Sequence, residues 1–109
     1  MTLEDLAEEL LSLGKIKSKE EFLSKLTQDM KEIMKLIFVT AKDFLIVKFG
    51  CFELLGFDFM IDEDFKLKLI EINVNPALFT DTSVQQGILP ELIDQTVAIA
   101  LKLHGDQTE

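Results

Sequence analysis

The hydrophobic pattern of this 109-residue chain leaves the helical period near residue 44 and returns to it from Leu89, and that alternation dictates a mixed fold. Before residue 44, Leu3, Leu6, Ala7, Leu10 and Leu11 recur at helical spacing. Phe22, Leu23, Leu26, Met30, Ile33, Met34, Ile37 and Ala41 then mark one face of a longer helix. Thr2 with Asp5, and Ser18 with Glu21, have the spacing of capping boxes, and Gly14 suits a helix stop. The pattern leaves room for a kink near Thr27. After residue 44, Phe, Ile, Val and Leu crowd together and the helical period fades. We read strands over 52–61 and 66–74, joined by the polar turn Asp62-Glu63-Asp64-Phe65. Lys66, Leu67, Lys68 and Leu69 alternate as a half-exposed strand does. Residues 75–87 have loop composition. Pro90 suits the first turn of a last helix, where its missing N–H costs nothing. Leu89, Ile93, Val97, Ala100 and Leu101 give that helix its apolar face, and His104 and Gly105 end it.

Composition narrows the possible functions. Hydrophobic residues make up 48% of the chain, enough for a core and too many for disorder. The 20 acids outnumber the 11 bases, and every base is Lys. A net charge of -9 opposes nucleic-acid binding, which needs a basic patch, and equally opposes anionic membranes. The absence of Arg removes the best bidentate ligand for phosphate or carboxylate. Cys51 is the single cysteine, so no internal disulfide can form. MTLEDLAEEL is acidic where a signal peptide is basic and then apolar, and no apolar run reaches the ~20 residues that span a bilayer. We therefore expect a soluble, intracellular protein.

The acidity is concentrated after residue 50, and one part of it has a chemical pattern. Glu71 and Asn73 lie two apart on the second strand and share a face. An even loop centred on Glu63-Asp64 pairs residues whose numbers sum to 127. Asp58 then sits opposite Leu69, on the face of Glu71 and Asn73. Two carboxylates and one amide oxygen would converge, while Phe57, Phe59 and Ile61 anchor the opposite face. An odd loop or a bulge would move Asp58 to the other side. The three are hard oxygen ligands of the kind Mg²⁺ takes, with waters and substrate phosphates completing its shell. Asp58 and Glu71 are also flanked by large hydrophobes (GFDFMI and LIEINV), where an unpaired carboxylate is expensive.

Other features have plainer readings. Asp62, Glu63 and Asp64 would need Gly at 67 and Glu at 73 to make a calcium loop. The chain has Leu67 and Asn73, so they read as an exposed acidic turn. His104 suits the carbonyl end of a helix. Cys51 reads as a small buried hydrophobe. Glu53 falls on the face away from Asp58 and reads as a surface or structural acid. Asn75-Pro76 reads first as a strand stop, and otherwise as a loop shaping the substrate side of the metal. Phe22, Met30, Met34 and Phe38 read as core, with some apolar surface left over if further structure normally covers them.

The run FELLGFDFMIDEDFKLKLIEINVNPAL, residues 52–78, closely resembles the C-terminal part of the tubulin–tyrosine-ligase-like proteins. GFDFMID, the 13-residue step from Asp58 to Glu71 and EINVNPAL are specific to that family when combined. Weaker resemblance extends from about Met30 through KLHG at 102–105, and NPALFTDTSVQQGILPELI looks most like the polyglycylase branch.

The resemblance implies the C-terminal portion of an ATP-grasp domain within an α+β chain of N-terminal helices, a β-hairpin and a C-terminal helix. It divides the chain into a helical segment at 1–29, the ligase portion at 30–105 and a tail at 106–109. It implies an ATP-dependent ligase that joins an amino acid, glycine above all, to glutamate side chains of tubulin or another protein acceptor. In such enzymes ATP phosphorylates a carboxylate and the incoming amine displaces phosphate. By motif position Asp58, Glu71 and Asn73 correspond to the family's magnesium ligands, with ATP and Mg²⁺ as cofactors. The cytoplasm, the cytoskeleton or a cilium is the implied location. The family's adenine pocket, phosphate-gripping lysines and arginines come largely from regions before this segment. Here the first 50 residues carry neither GxxxxGK[ST] nor GxGxxG. We therefore expect a fragment, a truncated gene product or a degenerate copy. The alternative from another functional class is a non-catalytic remnant that binds a partner.

Overall fold

The computed structural model describes residues 1–46, 48–76, 78 and 82–105, so the tail at 106–109 lies outside the described residues. The fold is α+β. Helix α1 spans Leu3–Ser12 and α2 spans Lys19–Ala41, followed by one 3₁₀ turn at Lys42–Phe44. Strands β1 (Gly56–Ile61) and β2 (Leu67–Asn73) pair in a two-stranded sheet, and α3 runs Ser83–Gly105.

Local chemistry sets the helix ends. The Thr2 hydroxyl accepts from the Asp5 N–H, and the Asp5 carboxylate accepts from the Thr2 N–H, a closed capping box. The Thr2 N–H holds the Asp5 carboxyl below the usual carboxylate range. At the other end Gly14 takes φ +70, Lys15 N–H donates to Leu10 C=O and Gly14 N–H donates to Leu11 C=O. That pair of bonds is the Schellman arrangement, which needs a residue tolerant of left-handed backbone at Gly14. Ser18 caps α2 by accepting from the Glu21 N–H. Helix α2 runs unbroken through Thr27.

Helix α3 departs from the sequence reading. It begins at Ser83, so Pro90 lies inside it rather than in its first turn, and residues 83–87 of the expected loop are helical. Thr82 and Gln85 explain the early start. Gln85 N–H donates to the Thr82 hydroxyl, and the Thr82 N–H donates to the Gln85 side-chain oxygen. A threonine followed three residues later by glutamine is a capping signature visible in the sequence, and it outweighs the preference of Pro90 for a helix start.

The chain divides into two compact units. The first comprises Met1–Leu45 and Phe57–Glu71. In it α1 and α2 pack together with Ala7 and Leu26 buried, and Lys19 bridges to Glu8 at 2.7 Å. Phe22 meets Phe65 edge-on. The second unit comprises Ile46–Gly56 and Ile72–Glu109. Among its described residues Leu89 and Ala100 of α3 are buried, and the His104 ring stacks edge-on against Phe49 at 5.1 Å. His104 thus has an aromatic neighbour in addition to its place near a helix end.

Three further expectations are corrected. The strands are shorter than 52–61 and 66–74, because residues 52–55, Lys66 and Val74 lie outside the ladder. Cys51 is exposed rather than buried. Phe38 is 60% exposed, so the apolar face of α2 outruns the residues that cover it, whereas Phe22, Met30 and Met34 are half-buried.

Candidate metal centre

The hairpin loop is odd, not even. Asp62 N–H donates to Lys66 C=O at 3.0 Å, and Phe65 N–H donates to Asp62 C=O at 3.0 Å. Asp62 therefore pairs with Lys66, paired numbers sum to 128 at the loop, and three residues connect the strands. Phe65 has φ +59, the left-handed residue that closes a three-residue loop as a bulge. The expected sum of 127 is thus corrected. The physical reason is the Asp62 side chain: its Oδ1 accepts from both Asp64 N–H and Lys66 N–H at 2.9 Å. These bonds pull the chain round one residue early. They also hold the Asp62 carboxyl below the usual range, the Lys66 N–H most of all, with Asp64 N–H and the Lys68 ammonium acting the same way.

The register differs at the open end of the hairpin. A Cβ placed on Gly56 would lie 3.8 Å from the Asn73 Cβ, so Gly56 faces Asn73. Six steps separate Gly56 from Asp62, and seven separate Lys66 from Asn73. Strand β2 therefore carries one extra residue, a β-bulge by count. The exposure pattern agrees. Along β1, half-buried Phe57, Phe59 and Ile61 alternate with exposed Asp58 and Met60. Along β2 alternation holds from Leu67 to Ile70 and then fails, with Ile70, Glu71 and Ile72 all exposed and Asn73 half-buried.

Each candidate ligand has a strand position. Asp58 lies two residues from Gly56 on β1, and hence on the face of Gly56. Glu71 and Asn73 lie at the end of β2, with Glu71 in the first unit and Asn73 in the second. Asp58 and Asn73 each have an interaction partner in the structure. Glu53 is exposed, as expected. Among the described residues no three His, Cys, Asp or Glu side chains converge on a cation position, and the candidate set holds only two carboxylates beside its amide. The donor chemistry suits magnesium: three hard oxygens, few enough to leave room for waters and phosphates.

The first unit also holds an open groove of about 730 Å³, floored by Phe22, Leu26, Ile33, Leu36, Phe65 and Leu67. Asp58 and Glu71 are absent from its described lining, so the groove is separate from the candidate ligands. Among the described residues no helix is long and apolar enough to cross a membrane.

Comparison with known proteins decides the family. Residues 4–108 match the Tubulin-tyrosine ligase family. The chain belongs to that family. This tubulin-tyrosine ligase family chain is 40% identical over 84 residues to protein polyglycylase TTLL10 of Macaca fascicularis, an overlap of 77% of the chain and 14% of that relative. It is 38% identical over 85 residues to a protein named inactive polyglycylase TTLL10 of Homo sapiens, covering 78% of the chain and 13% of that relative. It is 40% identical over 63 residues to probable tubulin polyglutamylase TTLL2 of Mus musculus, covering 58% of the chain and 12% of that relative. The family chain thus spans well under a quarter of the length of these relatives. No solved structure matches it.

Proposed function

We propose that the chain is the C-terminal portion of an ATP-grasp ligase domain, residues 30–105, that joins glycine to glutamate side chains of tubulin. Asp58, Glu71 and Asn73 hold Mg²⁺ for its ATP. The names of the polyglycylase relatives and the run from Gly56 to Leu78 support glycine as the amino acid, and the family description and the polyglutamylase names support tubulin as the acceptor. A polyglutamylase relative makes glutamate the competing amino acid. A tubulin ligase works at the cytoskeleton or in a cilium, and we place the chain there.

The motif order, GFDFMID, a 13-residue step from Asp58 to Glu71 and EINVNPAL, carries the metal assignment. The odd loop by itself would turn Asp58 away from the face of Glu71 and Asn73. The extra residue in β2 changes the parity a second time, and Gly56 faces Asn73 at the open end. The count concerns Gly56 and Asn73 alone, and the assignment of Asp58 and Glu71 rests on their places in GFDFMID and EINVNPAL. Bound Mg²⁺ would neutralise the phosphate charge of ATP there. The protein's part is to hold three oxygens on paired backbone, which limits their freedom and favours a hard cation.

The reading is tested with the 109-residue chain and Mn²⁺ as a paramagnetic substitute for Mg²⁺. We expect saturable binding that broadens the amide signals of Asp58, Glu71 and Asn73, and loss of binding in Asp58→Ala, Glu71→Ala and Asn73→Ala. Broadening centred on the Glu63–Asp64 loop instead would reject the assignment. A second reading has its own support, since one relative at 38% identity is named inactive and the chain has no Arg. Under it the chain is a non-catalytic relative that retains the hairpin. Glycine incorporation into tubulin by a complete chain containing this segment separates the two.

A further inference from the structure

Gly56 stands where a side chain would meet a tight contact. A Cβ built on it would lie 3.0 Å from the Pro76 Cβ, tighter than nine in ten such contacts, and 3.8 Å from the Asn73 Cβ. Its φ lies outside the left-handed range, so the requirement for glycine is steric, not conformational. Most side chains relieve such a contact by changing rotamer. Pro76 cannot, because its Cβ belongs to a ring tied to the backbone at both ends. Both partners and Asn73 lie in the same compact unit. Gly56 and Pro76 are half-buried, as is Asn73. The chain after β2 thus folds back until the Pro76 ring rests on the first residue of β1.

We propose that Gly56 is a positioning residue for Asn73. Its bare backbone lets Pro76 close against β1, and that contact fixes the end of β2 where Asn73 is held. The purpose of Asn73 as a cation ligand rests on the function proposed above, while the coupling of the three residues does not. A methyl group at position 56 has to displace the proline ring by a few tenths of an ångström. Asn73 is three residues from Pro76 and in contact range of the same methyl group, so the displacement is felt there first. Metal ligands held a fraction of an ångström off position lose affinity without loss of the fold.

The test is a mutant cycle in the 109-residue chain, read by the backbone and side-chain amide resonances of Asn73 and by Mn²⁺ affinity. Gly56→Ala should shift the Asn73 signals and weaken Mn²⁺ about tenfold, as a displaced supporting contact does. In a Pro76→Gly background, which has no ring to strike, the same Gly56→Ala change should leave Asn73 and Mn²⁺ affinity unmoved. If Gly56→Ala alone fails to fold, folding of the double variant supports the contact just as directly. Gly87→Ala is the control, because nothing lies within 4 Å of a Cβ there, and it should leave Asn73 unchanged. Asn73 signals indifferent to Gly56→Ala, or an equal effect with and without Pro76, would overturn the proposal. Absence of Mn²⁺ binding by the unaltered chain, with the Asn73 shifts following the cycle, would remove the cation reading and leave the positioning role standing.

Discussion

Phe65 meets Phe22 edge-on, ring centroids 6.1 Å apart at 81°, although Phe65 itself adopts the left-handed backbone that favours glycine. A phenylalanine there carries backbone strain of about 1 kcal/mol or more. The ring contact across 43 positions of sequence offsets it and ties the hairpin loop to α2 within the first unit.

The two effects oppose each other in one substitution. Phe65→Gly should relax the backbone and lose the ring contact, leaving a small net change. Phe22→Leu should cost stability in the original chain and less in the Phe65→Gly background. Urea unfolding of the four proteins should show a coupling of about 0.5–1.5 kcal/mol. Strict additivity would mean that the rings merely lie near one another.

Acid should loosen the hairpin loop at Asp62. The Lys66 and Asp64 N–H groups favour the ionised Asp62 carboxylate, so its folded pKa lies below its unfolded one. The stabilisation is therefore present above about pH 4, the ordinary carboxylate value, and is lost as pH falls through the lowered folded value. The amide signals of Asp64 and Lys66 should titrate together in that acid range, and Asp62→Asn should abolish the titration. An acid transition at these amides that survives Asp62→Asn would assign it to another group.

Two glycines should respond to alanine with opposite signs. Gly14 closes α1 at φ +70, where a Cβ meets its own backbone, so Gly14→Ala should destabilise by about 1 kcal/mol. Gly87 lies inside α3 with open space around it, so Gly87→Ala should stabilise that helix by up to about 1 kcal/mol. Thermal unfolding of the two variants gives the comparison directly. A stabilised Gly14→Ala protein would contradict the Schellman end of α1.

In a complete ligase chain that contains this segment, Asp58→Ala, Glu71→Ala and Asn73→Ala should each lower ligation on the order of 10²-fold or more, because the reaction depends on charge neutralisation at the phosphates. Circular dichroism should show each variant folded, since Asp58 and Glu71 are exposed and Asn73 only half-buried. Near-normal turnover in all three would refute the ligand assignment.

What the sequence determined by itself was whatever depends on neighbours a few residues away. Thr2 with Asp5, Ser18 with Glu21, and Gly14 set the ends of α1 and α2 through bonds spanning three to five positions. Thr82 with Gln85 belongs to the same class and was legible too, but the more conspicuous Pro90 drew the helix start about five residues too late. The motif residues Asp58, Glu71 and Asn73 and the family could likewise be read from order and spacing. Tertiary structure decided the parity of the hairpin. Asp62 draws in two amides, Phe65 is held in a strained conformation against Phe22, and β2 takes up an extra residue before it reaches Gly56 and Pro76. A strand has period two, so one residue gained or lost reverses every side chain beyond it. The Asp62 bonds reach only two and four positions and are local, whereas Phe22 with Phe65 and Gly56 with Pro76 join residues 43 and 20 positions apart, which no local pattern records.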